Sequence, residues 1–402
     1  MTDPDKSLKT KAASLDIICP DKETENPAAE TEKNKNIKNS YINIDTDKNS
    51  NSETNADNPP KQNKRTRNIS IIVFAVINAI VICYTASNEF TGEKVSAEAF
   101  SKIRINVFFI LIAIGCIVVS IAAQTAKYVL MMKKLTGSFS IKTSYEVAVL
   151  GKYYDNLTPS GIGGQPFQIF YLKKSGVPTG ASAAMPTAGF MSMQAAFAIV
   201  AVLAFIFKNS VIDSVAVKIA AYFGILLYLF IPCVILLFTL APSFTERAVG
   251  SIIKFCKKLR IVKNEEHSRE TAISTLREYR EGIRYLLSKR SVWVGVLACD
   301  ILYHIAILSV PYFVIIAFGG QVALFDAFSA SAFIYAAITF IPTPGNCGAA
   351  EGSFYIMFSS LTKGYIFWAM LVWRVLTYYS FIFLGLLVYF GKTIKKYTDS
   401  HT

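Results

Sequence analysis

The chain has 402 residues, 52% of them apolar and only 17% charged, with a mean hydropathy of +0.39 and a formal net charge of +13. An ordinary soluble domain is roughly 25% charged, so this balance excludes a soluble fold. It also leaves no zinc site or other cofactor to expect: there are 3 histidines, and the 7 cysteines show no CxxC spacing and read as buried hydrophobes.

Residues 1–68 carry 12 Lys/Arg, 12 Asp/Glu and 11 Asn without apolar periodicity. Such a segment cannot bury enough surface to offset its ordering entropy, so a disordered cytoplasmic tail is predicted. The first long apolar run begins at Ile69, too late for a cleavable signal peptide. The whole net charge therefore lies in residues 69–402, where 29 basic residues face 16 acidic ones. Loops beside anionic lipid account for that excess, and no nucleic acid is expected as a partner.

Six apolar runs are long enough to cross about 30 Å of hydrocarbon as helices: 69–86, 105–123, 188–207, 219–240, 292–318 and 365–390. Lys61, Lys64, Arg65 and Arg67 before the first run place the N-terminus in the cytoplasm. The loop with Lys127, Lys133, Lys134 and Lys142, the loop 241–291 with its 12 basic residues, and the C-terminal end with Lys392, Lys395 and Lys396 are then cytoplasmic too. These placements agree only if 143–172 enters and leaves by the same face. Its arms, 143–158 and 165–172, flank TPSGIGGQP, and they read as a re-entrant hairpin. The same parity makes 324–362, broken at Pro342 to Gly348, a second hairpin that enters from outside; a version with both arms crossing keeps the same loop sidedness.

The resulting order is span, span, hairpin, span, given twice from opposite faces. The fold class expected is an all-α polytopic membrane protein with an inverted-topology repeat of three spans plus one broken-helix hairpin each. The transmembrane domain would cover 69–396 and 397–402 would be a cytoplasmic end, while in the cytoplasmic loop Ile273, Leu276, Ile283 and Leu287 recur at helical spacing among Arg277, Arg280 and Arg284. That pattern predicts an amphipathic helix lying on the leaflet.

Irregular backbone at membrane depth must line a cavity or be buried in protein. Gly161, Gly163 and Gly164 permit an unusual path, Pro166 suits the first turn of a helix, and the free N–H groups there would favour a lipid phosphate. Ionisable residues inside spans are costly and mark candidate sites. Asp300 and His304 share a face of one span, Glu351 follows the second break, Arg374 lies in the last span, and Lys152 and Asp155 are three apart in the first hairpin. These charges could equally be structural pairs. No catalytic residues are identified.

GKYYDNLTPSGIGGQPFQIFYLKKSG (151–176), IPTPGNCGAAEGSFYIMF (341–358) and WRVLTYY (373–379) resemble the lysylphosphatidylglycerol synthase transmembrane family. Its members are flippase-like proteins related to the membrane half of the multiple peptide resistance factor. The resemblance covers roughly 69–396 and implies a multi-pass inner-membrane protein that moves lipids or lipid-linked head groups between leaflets. Full-length members add a cytoplasmic domain that transfers lysine from its tRNA to phosphatidylglycerol, and with Thr402 soon after the last span that domain is expected to be absent. Pro344, Gly345, Glu351 and Arg374 match the family pattern, whereas Gln165 and Gln168 stand where many members carry an acidic residue and an arginine. The leading expectation is a lipid transporter with anionic or phosphate-bearing membrane lipids as partners. Its rivals are a phosphatidylglycerol lysyltransferase affecting cationic peptide resistance, and a scaffold for a separately encoded synthase.

Overall fold

A computed structural model describes residues 105–398 apart from 159–160, 162, 209–214, 242–244, 246, 248, 252, 255–264, 340, 342, 344 and 359–364. The expected tail, the span 69–86 and Pro344 lie outside the described residues. Every described regular element is helical: α1 Val107–Thr136, α2 Ile141–Leu157, α3 Gly164–Lys174, α4 Thr179–Lys208, α5 Val215–Leu240, α6 Glu265–Ser288, α7 Arg290–Ala317, α8 Leu324–Ile338, α9 Ala349–Phe358, α10 Ile366–Arg374 and α11 Ser380–Thr398. A π-helical turn, Val375–Tyr379, joins the last two.

Five of these segments are long and apolar enough to cross a membrane: Val107–Thr136, Thr179–Phe207, Lys218–Leu237, Arg290–Ala317 and Ile366–Gly391. α1 begins where Asn106 accepts a hydrogen bond from Phe108 N–H and ends at Gly137 in the left-handed region, as helix caps require. Its 30 residues extend about 45 Å at 1.5 Å per residue, well past the expected end at 123. Lys127, expected in a cytoplasmic loop, is therefore inside the helix and buried.

The four hairpin arms are shorter. α2 has 17 residues, α3 11, α8 15 and α9 10, so each extends only about 15 to 26 Å and none spans a 30 Å core by itself. The first arm of the second hairpin, an 18-residue run in the sequence, stops as a regular helix at Ile338.

α1 and α7 pack along their length and run antiparallel, because Asn106 N–H at the start of α1 donates to Ala317 O at the end of α7, 2.9 Å away. The hairpin after α1 and the hairpin after α7 thus begin at opposite ends of this pair. Apolar side chains of α1, α4, α5, α7, α8, α9 and α10 form one core that includes Phe197, Leu308, Ile315, Phe333 and Phe354. A second cluster, with Met131, Val147, Leu172, Met185 and Leu286, anchors the first hairpin. Outward faces stay apolar and exposed, as at Phe108, Leu111, Phe223, Phe230 and Phe383, the arrangement lipid contact demands.

The amphipathic helix forms as α6, but it does more than lie on a surface. Ile283 and Leu286 are buried against α4, and the Tyr285 ring receives Lys134 and Lys289. Arg277 and Arg284 remain exposed.

Candidate functional site

Each hairpin break is held by a carboxylate. In the first, Thr158 Oγ1 accepts from Gly163 N–H at 2.8 Å and Asp155 Oδ1 accepts from Gly164 N–H at 2.9 Å, which caps α3. A side chain at Gly164 would run into Asp155 and the Gly151 carbonyl, so only glycine fits. In the second, Gly345, Asn346 and Gly348 all have positive φ, and Glu351 Oε2 reaches back to Gly348 N–H at 2.6 Å as the third residue of α9. At each helix start one N–H group is thus taken by the chain's own acid. Pro166 sits in the first turn of α3 and, like Gly163 and Gly164, stands behind the cavity wall.

A cavity of about 560 Å³ opens between the hairpins and the long helices. That volume suits a head group or other small molecule. Lys152, Asp155, Gly161, Gln165, Gln168, His304, Gly345 and Arg374 line it. The structure therefore brings residues from both hairpins, α7 and α10 to one place. Asp300 and Glu351 stand behind the wall.

The charges sort into a specific pattern. Glu351 pairs with Arg374 at 2.6 Å, and Arg374 Nη1 also donates to Gly345 O at 3.3 Å. Arg374 is 7% exposed, yet Nη2 has no hydrogen-bond partner among the described residues, and neither does the neighbouring Trp373 indole N–H. Both residues line the cavity. Asp300 pairs with Lys127 at 2.9 Å. His304, one turn away on α7, makes its contact elsewhere, with Nε2 3.1 Å from Met193 O. Lys152 lies against the Tyr303 hydroxyl with Asp155 close by, and Gln168 donates to Val147 O.

Three basic side chains, Lys127, Lys152 and Arg374, consequently face the cavity from three different helices, while only Asp155 among the described carboxylates does. Sequence reasoning missed Lys127, Gln124, Tyr303 and Trp373. It also missed Glu146, which accepts from the Tyr171 hydroxyl and locks the two arms of the first hairpin together.

An all-helical, multi-pass membrane protein with an internal polar cavity is the class these features define. The chain belongs to the lysylphosphatidylglycerol synthase TM region family, whose model matches residues 70–385. It is also similar to a UPF0104 membrane protein of Archaeoglobus fulgidus, 26% identical over 320 residues that cover 79% of this chain and 94% of that protein.

Proposed function

We propose that this protein moves a phospholipid or lipid-linked head group between the leaflets of the cell membrane, with both termini in the cytoplasm. The observation that carries the reading is the cavity wall, where three cations converge while two of their carboxylates stand behind it. Such a wall attracts an anion, and at membrane depth the abundant anion is a lipid phosphate. Beside that wall, Arg374 Nη2 and the Trp373 indole N–H are buried donors with no hydrogen-bond partner among the described residues. The two hairpins starting from opposite ends of the α1–α7 pair support an inverted repeat, the architecture that lets a bundle expose one site to either side in turn.

Leaflet-resolved translocation by the purified protein in liposomes tests the proposal, using phosphatidylglycerol, lysylated phosphatidylglycerol, polyprenyl phosphate and a glycolipid as cargo. Translocation of at least one above protein-free vesicles is expected. Failure of all four refutes it.

The family description favours a second reading, an enzyme or the membrane partner of a separate synthase. No serine or cysteine lines the cavity among the described residues, whereas Lys152, Asp155, Thr339 and Thr377 do, and lysylated lipid formed by the purified protein from lysyl-tRNA and phosphatidylglycerol would favour the enzyme.

A further inference from the structure

Asp300 is fully buried on α7. Its Oδ1 accepts from two α1 side chains, the Gln124 amide and the Lys127 ammonium, each at 2.9 Å. Oδ2 has no hydrogen-bond partner among the described residues. Lys127 lines the cavity and Asp300 does not, so the lysine stands between the carboxylate and the space assigned to the head group. Gly189 of α4, also in the cavity wall, lies beside the lysine: a Cβ there would make ordinary van der Waals contact, 3.7 Å from its Nζ.

One ammonium balances the charge of only one of two anions in a medium of low dielectric. A carboxylate that loses its partner in such a place takes a proton rather than remain charged and unpaired. We propose that Asp300 is a proton-coupling site: an anionic head group competes with it for Lys127, and Asp300 takes up one proton from the aqueous phase to which the cavity is open. The inference rests on the cavity being the head-group site. The carboxylate becomes a carboxylic acid, Lys127 remains an ammonium now paired to the phosphate, and a monoanionic cargo plus one proton leaves the charge inside the bundle unchanged. Release reverses each step.

Asp300 is the carboxylate in direct contact with Lys127, and other titratable groups surround it. α1 presents Lys127 and Tyr128, and α7 itself presents Cys299, Tyr303 and His304, the last held by Met193 O. Residues 179–207 of α4 contain no ionisable residue. α8 presents Tyr335, α10 presents Arg374, already paired to Glu351, and α2 presents Lys152 and Asp155, the latter capping α3.

Calorimetric titration of the full chain in detergent, in two buffers of different ionisation enthalpy, counts protons bound with the lipid. The probes are dioctanoyl phosphatidylglycerol and a short-chain polyprenyl phosphate. Near neutral pH, uptake of about one proton per bound lipid is expected, with affinity tightening by up to about tenfold per unit fall in pH. Asp300→Asn keeps acceptors for Gln124 and Lys127 and should bind lipid without proton uptake and with a flat pH profile. Should that variant fold poorly, the charge-free pair Lys127→Gln/Asp300→Asn should likewise bind, more weakly, without uptake. Lipid binding by the wild type without proton uptake, or uptake that survives loss of Asp300, overturns this inference and leaves the head-group site standing. Absence of binding by either probe at every pH overturns the head-group reading, and the inference with it.

Discussion

Asn156 and Tyr378, 222 positions apart, exchange hydrogen bonds: the Asn156 amide donates to Tyr378 O at 3.5 Å, and the Tyr378 hydroxyl donates to Asn156 O at 3.4 Å. Asn156 closes the first arm of one hairpin, and the Tyr378 ring fills the space beside Gly345 in the break of the other. A single side chain on the π turn thereby touches both broken segments. π turns inside α-helices recur at functional sites, and here the extra residue places this ring.

Gly345→Ala should be strongly destabilising, since the position has φ +59 and its new methyl would strike the Tyr378 ring. Tyr378→Ala in the same chain should return part of the loss. A thermal-unfolding double-mutant cycle in detergent should give a coupling of about 1–3 kcal/mol. Additive effects would mean that the ring does not set the glycine requirement.

Lys152→Met keeps the length and apolar stem of the side chain while removing a charge from the cavity wall. Normal expression and melting temperature are expected, with translocation of anionic lipid reduced at least about tenfold, the equivalent of about 1.4 kcal/mol. Unchanged translocation would remove Lys152 from the head-group path.

Glu351 carries two contacts, the cap on Gly348 N–H and the ion pair with Arg374. Glu351→Gln retains an acceptor for the cap but leaves Arg374 buried without its anion. A loss of about 3–5 kcal/mol, seen as a lowered melting temperature, is expected. Restoring neutrality with Glu351→Gln/Arg374→Gln should recover much of the stability but none of the translocation. A stable and fully active Glu351→Gln protein would show that the pair serves neither fold nor transport.

Asp155→Asn should hardly alter stability, because Asn accepts the Gly164 N–H as Asp does, whereas Asp155→Ala should cost about 1 kcal/mol for the lost cap. Equal melting temperatures for the two variants would contradict the capping role.

Orientation is tested by single cysteines in a Cys-free chain in intact cells. Positions on α6 should resist an impermeant thiol reagent and those at Gly319–Gln321 should react. Reaction on α6 would reverse the topology.

Long apolar runs mark α4, α5 and α7 to within about ten residues, and the Gly/Pro motifs mark both helix breaks. α1 was cut short because hydropathy falls at Lys127, which reads as the first base of a loop. The inner stripe Ile117, Ser120, Ala123, Lys127, Met131 and Leu135 keeps its three- and four-residue steps beyond that point, and following the spacing instead of the average keeps Lys127 in the helix. The partner of Asp300 could not be read from its own helix, since it comes from 173 positions away. The π turn has no local signal in the sequence, and the contacts of its Tyr378 are with two remote segments.

The acid caps on α3 and α9 have a kinetic consequence. At each broken helix one N–H group, that of Gly164 and that of Gly348, is held by an acid of the chain itself. The proposed cargo would instead meet the cavity wall, where Lys127, Lys152 and Arg374 stand. If the proposed transport holds, loading leaves both caps in place, and movement of whole helices past one another is the step expected to set turnover.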